Sequence, residues 1–218
     1  MHIAVQVIML SFVTDLTSLK RRDATENRES LLAAARIELN VDPNASLETI
    51  AASAGLSRRS VYGHFANRDD LLRELLATGA ARVSAAVESS RDDDPVTDLA
   101  LVAATLWREV ESIRVMALLA VRGPFKGLTA EALAPLRERV LADVARGQTA
   151  GSIRRDIDAP TLARLIEEGA LMVLETATTS ALTSEQGHTL VMRVVLSLAG
   201  LSWRETAELI TPIDQELS

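Results

Sequence analysis

Five hydrogen-bonding side chains fall within seven residues of this chain: Arg58, Arg59, Ser60, Tyr62 and His64. Guanidinium, hydroxyl and imidazole groups are the ones that proteins use to contact DNA phosphates and base edges. Val61 and Phe65 lie four residues apart, which predicts an inward-facing apolar stripe on a helix. The five polar side chains would then be distributed over the exposed face. Type and spacing together favour a helix that contacts DNA.

A second short helix is predicted directly upstream. Ser46 can cap it by accepting a hydrogen bond from an amide of its first turn. Gly55 stands where a helix ends in a left-handed residue, and Ser57 can cap the next helix. The apolar residues that recur on one face of the upstream helix are Leu47, Ile50, Ala51 and Ala54. We therefore predict a helix-turn-helix motif over residues 46–65.

From residue 28 to residue 76 the sequence resembles the N-terminal DNA-binding domain of TetR-type transcriptional regulators. The resemblance implies a three-helix DNA-binding domain followed by an all-helical ligand-binding and dimerisation domain. The chain departs from the usual pattern at 40–45, where NVDPNA replaces a glycine and an aromatic, and at Arg68, which replaces a lysine. The matching runs are RESLLAAA from Arg28, the pair Ile50-Ala51, AGLS from Ala54, VYGHF from Val61 and NRDDLL from Asn67.

Within this motif, a guanidinium in the first turn of the recognition helix can pair with both acceptors of a guanine, so we expect Arg58 or Arg59 to discriminate bases. We expect Tyr62, His64 and Arg68 to contact phosphates. The alternative is a helical hairpin in an ordinary bundle, with Tyr62 and His64 partly buried. The complete set of predicted DNA-binding residues is Ser46, Arg58, Arg59, Ser60, Tyr62, His64 and Arg68.

We predict an all-α fold with the DNA-binding domain at 20–76 and the ligand-binding and dimerisation domain at 77–218. Residues 1–19 are expected to be an N-terminal extension that need not be ordered. Their apolar run, 3–13, is too short to span a bilayer and lacks preceding basic residues, so we expect neither a membrane anchor nor a secretory signal. The basic run 20–22 resembles an arm that follows the minor groove or the phosphates.

The net charge of −7 is unusual for a DNA-binding protein. Residues 20–76 contain nine basic and nine acidic residues, so the acidity lies outside the predicted DNA-binding domain. Binding requires only a local basic surface, and the residues expected to form it are Lys20, Arg21, Arg22, Arg58, Arg59 and Arg68. The chain has no cysteine, which excludes disulfides and thiolate sites and is typical of a cytoplasmic protein.

Two long amphipathic helices are predicted near the C-terminus, at about 159–178 and 183–200. We expect them to form a homodimer interface, because their apolar faces are wider than one domain needs. The alternative is that these faces only complete an intramolecular core. A two-fold dimer would place its recognition helices about 34 Å apart and require a palindromic operator. The residues of these faces are Leu162, Leu165, Ile166, Leu171, Leu174, Leu190, Val191, Val194, Val195 and Leu198.

The second domain shows no catalytic triad, phosphate-binding glycine loop or metal-ligand cluster, so we predict no enzyme activity, cofactor or metal. We expect a small-molecule effector, with an aliphatic or mixed ligand favoured by the low aromatic content. The candidate ligand-binding residues, each of which could instead be core, are Trp107, Met116, Phe125 and Met172. We therefore expect a repressor that is released from DNA by an effector. An effector-independent regulator or activator, and a helical enzyme or interaction module, remain the alternatives.

Overall fold

The computed structural model describes the backbone of residues 2–180 and 182–216 and the side chains of residues 22–180 and 182–213. Its described backbone contains helices and no strand, which confirms the predicted all-α class. The chain divides into two compact units, Met1–Leu75 and Leu76–Ser218. Among the described residues, none of the helices combines the length and apolarity that a membrane crossing requires.

The first unit contains three helices and the beginning of a fourth: α1 (His2–Val41), α2 (Leu47–Ser53), α3 (Arg58–His64) and α4 (Arg68–Glu88). Their inward faces meet in one small core. The largest of its fully buried side chains are Leu31, Leu39, Ile50, Val61, Leu71 and Leu72. The first helix begins at His2, so its backbone is helical through most of the range 1–19 that the sequence assigned to an extension. The domain boundaries themselves stay a prediction.

The side chain of Arg28 in α1 contacts α3 and α4 of the first unit. Its Nε donates to Oε1 of Glu74 at 2.8 Å, and its Nη1 donates to the carbonyl oxygen of His64 at 2.9 Å. The same guanidinium stacks over the Phe65 ring, 4.4 Å from the centroid. Arg28 thus provides a donor for the carbonyl at the end of α3 and a counter-charge for an acidic group of α4, and so links α1 to both helices.

The second unit contains the rest of α4 and seven further helices: α5 (Pro95–Val110), α6 (Arg114–Arg122), α7 (Lys126–Ala132), α8 (Ala134–Ala150), α9 (Ala159–Thr179), α10 (Ser184–Ala199) and α11 (Trp203–Glu216). A 3₁₀ turn, Glu111–Ile113, precedes α6. The core of this unit lies among α5, α8, α9, α10 and α11. Its most buried members include Leu99, Ala104, Trp107, Val144, Leu162, Met192 and Leu196.

Two helices of this unit begin at a local cap. Asp94 accepts a hydrogen bond from the Thr97 amide at 2.8 Å, with Pro95 in the first turn of α5. Thr183 and Gln186 form the reciprocal capping box of α10. Each of these bonds satisfies an amide that has no partner within the helix.

Three helices of the second unit have bounds that local sequence signals do not determine. The helix α7 begins two residues after Pro124. The helix α8 continues past Gly147 to Ala150 and is followed by Gly151, whose φ of +84° is left-handed. The helix α11 runs to Glu216 and contains Pro212. Packing decides these boundaries, since Gly147 and Pro212 would weaken an isolated helix.

Candidate nucleic-acid interface

The turn between α2 and α3 is built by Gly55. Its φ of +69° is the left-handed conformation that favours glycine. The amide of Gly55 donates to the Ala52 carbonyl at 3.0 Å, and the amide of Leu56 donates to the Ala51 carbonyl at 2.9 Å. These two bonds satisfy the carbonyls at the end of α2 in a Schellman arrangement. The tight turn of a helix-turn-helix is therefore fixed by backbone hydrogen bonds.

Both helices of the motif begin at the serine caps that the sequence predicted. Oγ of Ser46 accepts from the Thr49 amide at 3.0 Å, and Oγ of Ser57 accepts from the Ser60 amide at 3.2 Å. The predicted inward residues Val61 and Phe65 are buried. Capping at one end and core packing at the other hold α3 in a single orientation relative to α2.

The opposite face of α3 carries the predicted DNA-contacting groups. Arg58 and Arg59 occupy its first turn and are exposed, and Tyr62 is exposed one turn later. Ser60 and His64 are half-buried. Among the described side chains, Arg59 makes neither an ion pair nor a hydrogen bond, so its guanidinium is available to a ligand. A face with two guanidinium groups and a phenol hydroxyl suits the acceptors of the major groove and the phosphates beside it.

Glu48 was not predicted to belong to this face, yet it contacts two of the residues that were. Its Oε1 accepts a hydrogen bond from the Tyr62 hydroxyl at 2.9 Å and pairs with Nη2 of Arg58 at 3.3 Å. The guanidinium of Arg58 also lies 5.7 Å from the centroid of the Tyr62 ring. A backbone hydrogen bond, the Tyr62 hydroxyl and the charge of Arg58 lower the pKa of Glu48. The carboxylate is therefore ionised at neutral pH.

Arg68, which the sequence predicts to contact a phosphate, donates hydrogen bonds to the turn between α1 and α2. Its Nε donates to the Ala45 carbonyl at 2.8 Å, and its Nη2 donates to the Pro43 carbonyl. Two parallel donors on a rigid fork fit two carbonyls in a turn, which a lysine ammonium cannot match. The unusual turn at 40–45 and the arginine at 68 are thus parts of one arrangement. A phosphate contact by Arg68 stays a prediction, and its resting partners are these turn carbonyls.

Only part of the predicted basic surface lies within the described side chains. Lys20 and Arg21 fall outside them. Arg22 is exposed and pairs with Glu26 at 3.4 Å. The remaining members are Arg58, Arg59 and Arg68, so the exposed positive charge of the motif is concentrated on the first turn of α3.

The four candidate ligand-binding residues occupy different environments. Trp107 is a member of the core, and its Nε1 donates to the Ser184 carbonyl at 2.9 Å. Met116 is buried on α6, Phe125 is half-buried before α7, and Met172 is 56% exposed on α9. Their role in ligand binding stays a prediction. The surroundings of Trp107 are those of a structural residue, and Met172 faces away from the core.

The predicted dimer faces divide into two groups. Five of their residues are buried in the core of the second unit: Leu162, Ile166, Leu174, Val191 and Val195. The other five are half-buried or exposed and could meet a second copy: Leu165, Leu171, Leu190, Val194 and Leu198. The helices α9 and α10 approach closely at Gly169, where an added Cβ would lie 2.6 Å from Cδ1 of Leu198. Because Leu190, Val194 and Leu198 also pack partly against this core, the intramolecular alternative accounts wholly or partly for eight of the ten residues.

Comparison with known proteins gives the same assignment for the motif. Residues 31–75 match the family model of bacterial regulatory proteins, tetR family. This range contains all of α2 and α3 and the parts of α1 and α4 that pack on them. A comparison with curated proteins gives no match.

Solved structures of TetR-type regulators share the fold of the chain. FadR from Bacillus subtilis, in complex with stearoyl-CoA, is 16% identical with a TM-score of 0.67, over 79% of this chain and 97% of FadR. LfrR from Mycobacterium smegmatis, in complex with proflavine, is 20% identical with a TM-score of 0.63, over 82% and 98%. SmeT, the repressor of a Stenotrophomonas maltophilia multidrug efflux pump, is 23% identical with a TM-score of 0.62, over 78% and 88%. The motif geometry and the family match therefore identify residues 31–75 as a DNA-binding domain of the tetR type, and these structures share the fold of the chain.

Proposed function

We propose that this protein is a repressor that binds a palindromic operator as a homodimer and is released by a small-molecule effector. The observation that carries the proposal is the face of α3. There, Arg58 and Arg59 are exposed in the first turn of a helix whose other side is buried. The first turn of a recognition helix is the part that reaches base edges in the major groove.

The proposed role of each residue in DNA binding follows from the environment of its side chain. Arg59 is exposed, without an ion-pair partner among the described side chains, so it is the better candidate for reading a guanine. Arg58 and Tyr62 must exchange their contacts with Glu48 for contacts with DNA. Ser46 and His64 lie at helix ends, where polar groups contact phosphates and set the register of the protein on the duplex.

Dimerisation is supported by exposed apolar residues of α9. Met172 and Leu165 are seven residues apart on α9, so they lie on the same side of the helix, and both are exposed. On α10, the half-buried Leu190, Val194 and Leu198 recur at spacings of four and pack in part against the core of their own unit. Two copies meeting through such helices would form a four-helix bundle and present two α3 helices to one operator.

The proposed effector belongs to a broad class of small organic molecules. The structurally similar FadR binds stearoyl-CoA and LfrR binds proflavine, which shows one fold holding ligands of different shape and charge. In this chain Trp107 is used by the core, and aromatic residues are only 3% of the sequence. We therefore propose an aliphatic or mixed ligand, whose binding shifts the population away from the DNA-competent state.

The test is enrichment of duplexes from a random library by the full-length dimer, followed by affinity measurements on the enriched sequence. We expect a palindromic consensus. Arg59→Ala should cost roughly 1–3 kcal/mol on that sequence and little on random DNA. The control Arg108→Ala removes an exposed arginine of α5 and should change neither affinity. Failure of the wild-type protein to bind or enrich any duplex at low salt would overturn the proposal.

The repressor assignment requires a second experiment. A reporter gene with the enriched sequence between its promoter and start codon should be silenced when the protein is co-expressed. Activation of the reporter, with the same sequence placed upstream, would instead support an activator. Effector candidates can be screened by the rise in melting temperature that binding to the folded state produces. A true effector should weaken operator binding by the factor by which DNA weakens effector binding.

A further inference from the structure

The carboxylate of Glu48 competes for the same donors that DNA phosphates would use. It lies in the first turn of α2, and it holds the hydroxyl of Tyr62 and the guanidinium of Arg58. Tyr62 is fourteen residues away from Glu48 along the chain, so only the packing of α2 against α3 brings the three together. A negative charge at this position also repels the DNA backbone.

The strength of these contacts decides what they can do. The side chains of Glu48 and Arg58 are 42% and 75% exposed, and exposed ion pairs contribute little to stability. A hydrogen bond from Tyr62 and an ion pair from Arg58 are therefore weak enough for a well-fitted duplex to replace. Any duplex that uses the Tyr62 hydroxyl or the Arg58 guanidinium must first break these contacts. The resting contacts of α3 therefore lower the affinity of this face for DNA of any sequence.

We propose that Glu48 limits the affinity of the DNA-binding face, because it restrains Arg58 and Tyr62 until DNA displaces it. The inference rests on the proposed function, because it assumes that this face binds DNA. Both kinds of duplex must displace the same contacts, so Glu48 lowers the affinity for random and for matching DNA by similar factors.

The experiment measures the affinity of the full-length protein for a random-sequence 30-base-pair duplex and for the duplex enriched from the library, at several salt concentrations. We expect Glu48→Gln to strengthen binding to both duplexes by similar factors, roughly two- to tenfold. The slope of log affinity against log salt should steepen by roughly one unit, because Arg58 is released to the phosphates. Glu48→Ala should act in the same direction.

Two controls separate competition from simple removal of charge. Glu29→Gln removes one negative charge from an exposed position of α1 and should leave both affinities nearly unchanged. In the background of Arg58→Ala, the gain from Glu48→Gln should shrink, since the restrained guanidinium is already gone. A gain of the same size in both backgrounds would overturn the proposal, as would an unchanged or weaker affinity of Glu48→Gln for the random duplex. If the wild-type protein and all variants fail to bind either duplex, the proposed function itself fails.

Discussion

Asp98 and Asp143 lie beside each other in the interior of the second unit, where each residue is only 2% exposed. Arg139 lies beside them and donates to Oδ2 of Asp98 at 2.8 Å and to Oδ1 at 2.6 Å. The same guanidinium donates to the carbonyls of Val87 and Ser90, at the end of α4. One arginine thus balances one carboxylate, and the second carboxylate is left without a full counter-charge.

This imbalance makes the stability of the protein depend on pH. Burial, followed by the hydrogen bond and the charge of Asp98, raises the pKa of Asp143 to about 7, whereas Arg146 and Arg139 lower it only in part. A raised pKa in the folded state means that the stabilisation is complete below the unfolded value of 3.8 and is lost as the pH rises through about 7. Burial also opposes ionisation of Asp98, but its bonds with Arg139, Asp143 and the Asp92 amide lower its pKa overall, so it stays ionised in this range.

We expect Asp143→Asn to flatten the decline of melting temperature between about pH 5.5 and pH 7.5. The amide keeps a donor for Asp98 and carries no charge, so it mimics the protonated acid. Removing one such titration should change the free energy of unfolding by roughly 1–2 kcal/mol across this range. The control Asp156→Asn alters an exposed carboxylate. Its pKa is lowered to about 2, chiefly by Arg154, and so lies outside this pH range. Parallel curves for the wild type and Asp143→Asn would contradict the assignment.

Gly187 allows α10 to pack against the ring of Trp107. A Cβ at this position would lie 1.9 Å from Cζ2 of Trp107, whose Nε1 is already held by the Ser184 carbonyl. We therefore expect Gly187→Ala to lower the free energy of unfolding by about 1–3 kcal/mol, measured by urea denaturation. Gly79→Ala on α4 meets open space and should be neutral or slightly stabilising. Equal stability of the two variants would show that the ring can move aside.

Arg68 supports the turn between α1 and α2 through the carbonyls of Pro43 and Ala45. We expect Arg68→Ala to reduce stability by roughly 1–3 kcal/mol in the absence of DNA, because the Ala45 carbonyl, in a buried residue, loses a charged donor. Arg59→Ala should stay within about 0.5 kcal/mol of the wild type, as an exposed surface substitution does. The salt dependence of DNA binding then tests whether Arg68 also contacts a phosphate. If Arg68→Ala reduces the slope of log affinity against log salt by roughly one unit, Arg68 makes such a contact. If the slope is unchanged, support of the turn is the only role of Arg68.

Met172 is exposed at 56% on the face of α9 proposed to meet a second copy. A buried carboxylate without a partner is costly, so Met172→Asp should shift the protein from dimer to monomer in sedimentation equilibrium. Helicity should not change, since the side chain is outside the core of its own chain. Leu128→Asp, at a position 39% exposed on α7, should remain dimeric. A Met172→Asp dimer of unchanged stability would place the interface elsewhere.

Much of the candidate site could be predicted from the sequence because it depends on contacts between near neighbours. Ser46 and Ser57 bond to amides three residues away, and Gly55 adopts its left-handed conformation for reasons internal to the turn. The spacing of Val61 and Phe65 identified the buried side of α3, and so the exposed position of Arg58 and Arg59. Local geometry needs no knowledge of the rest of the fold.

Other features were decided by the tertiary structure alone. Glu48 accepts a hydrogen bond from Tyr62, fourteen residues away in the sequence, and Arg28 donates one to Glu74, forty-six residues away. Asp98 accepts a hydrogen bond from Arg139 in α8. Periodicity showed that α9 and α10 have wide apolar faces, yet Ile166 is core and Met172 is exposed. The reason is physical: the sequence determines which side of a helix is apolar, whereas the angle at which its neighbours cross it determines how much of that side they cover. Charged pairs form wherever those crossings bring opposite charges within reach.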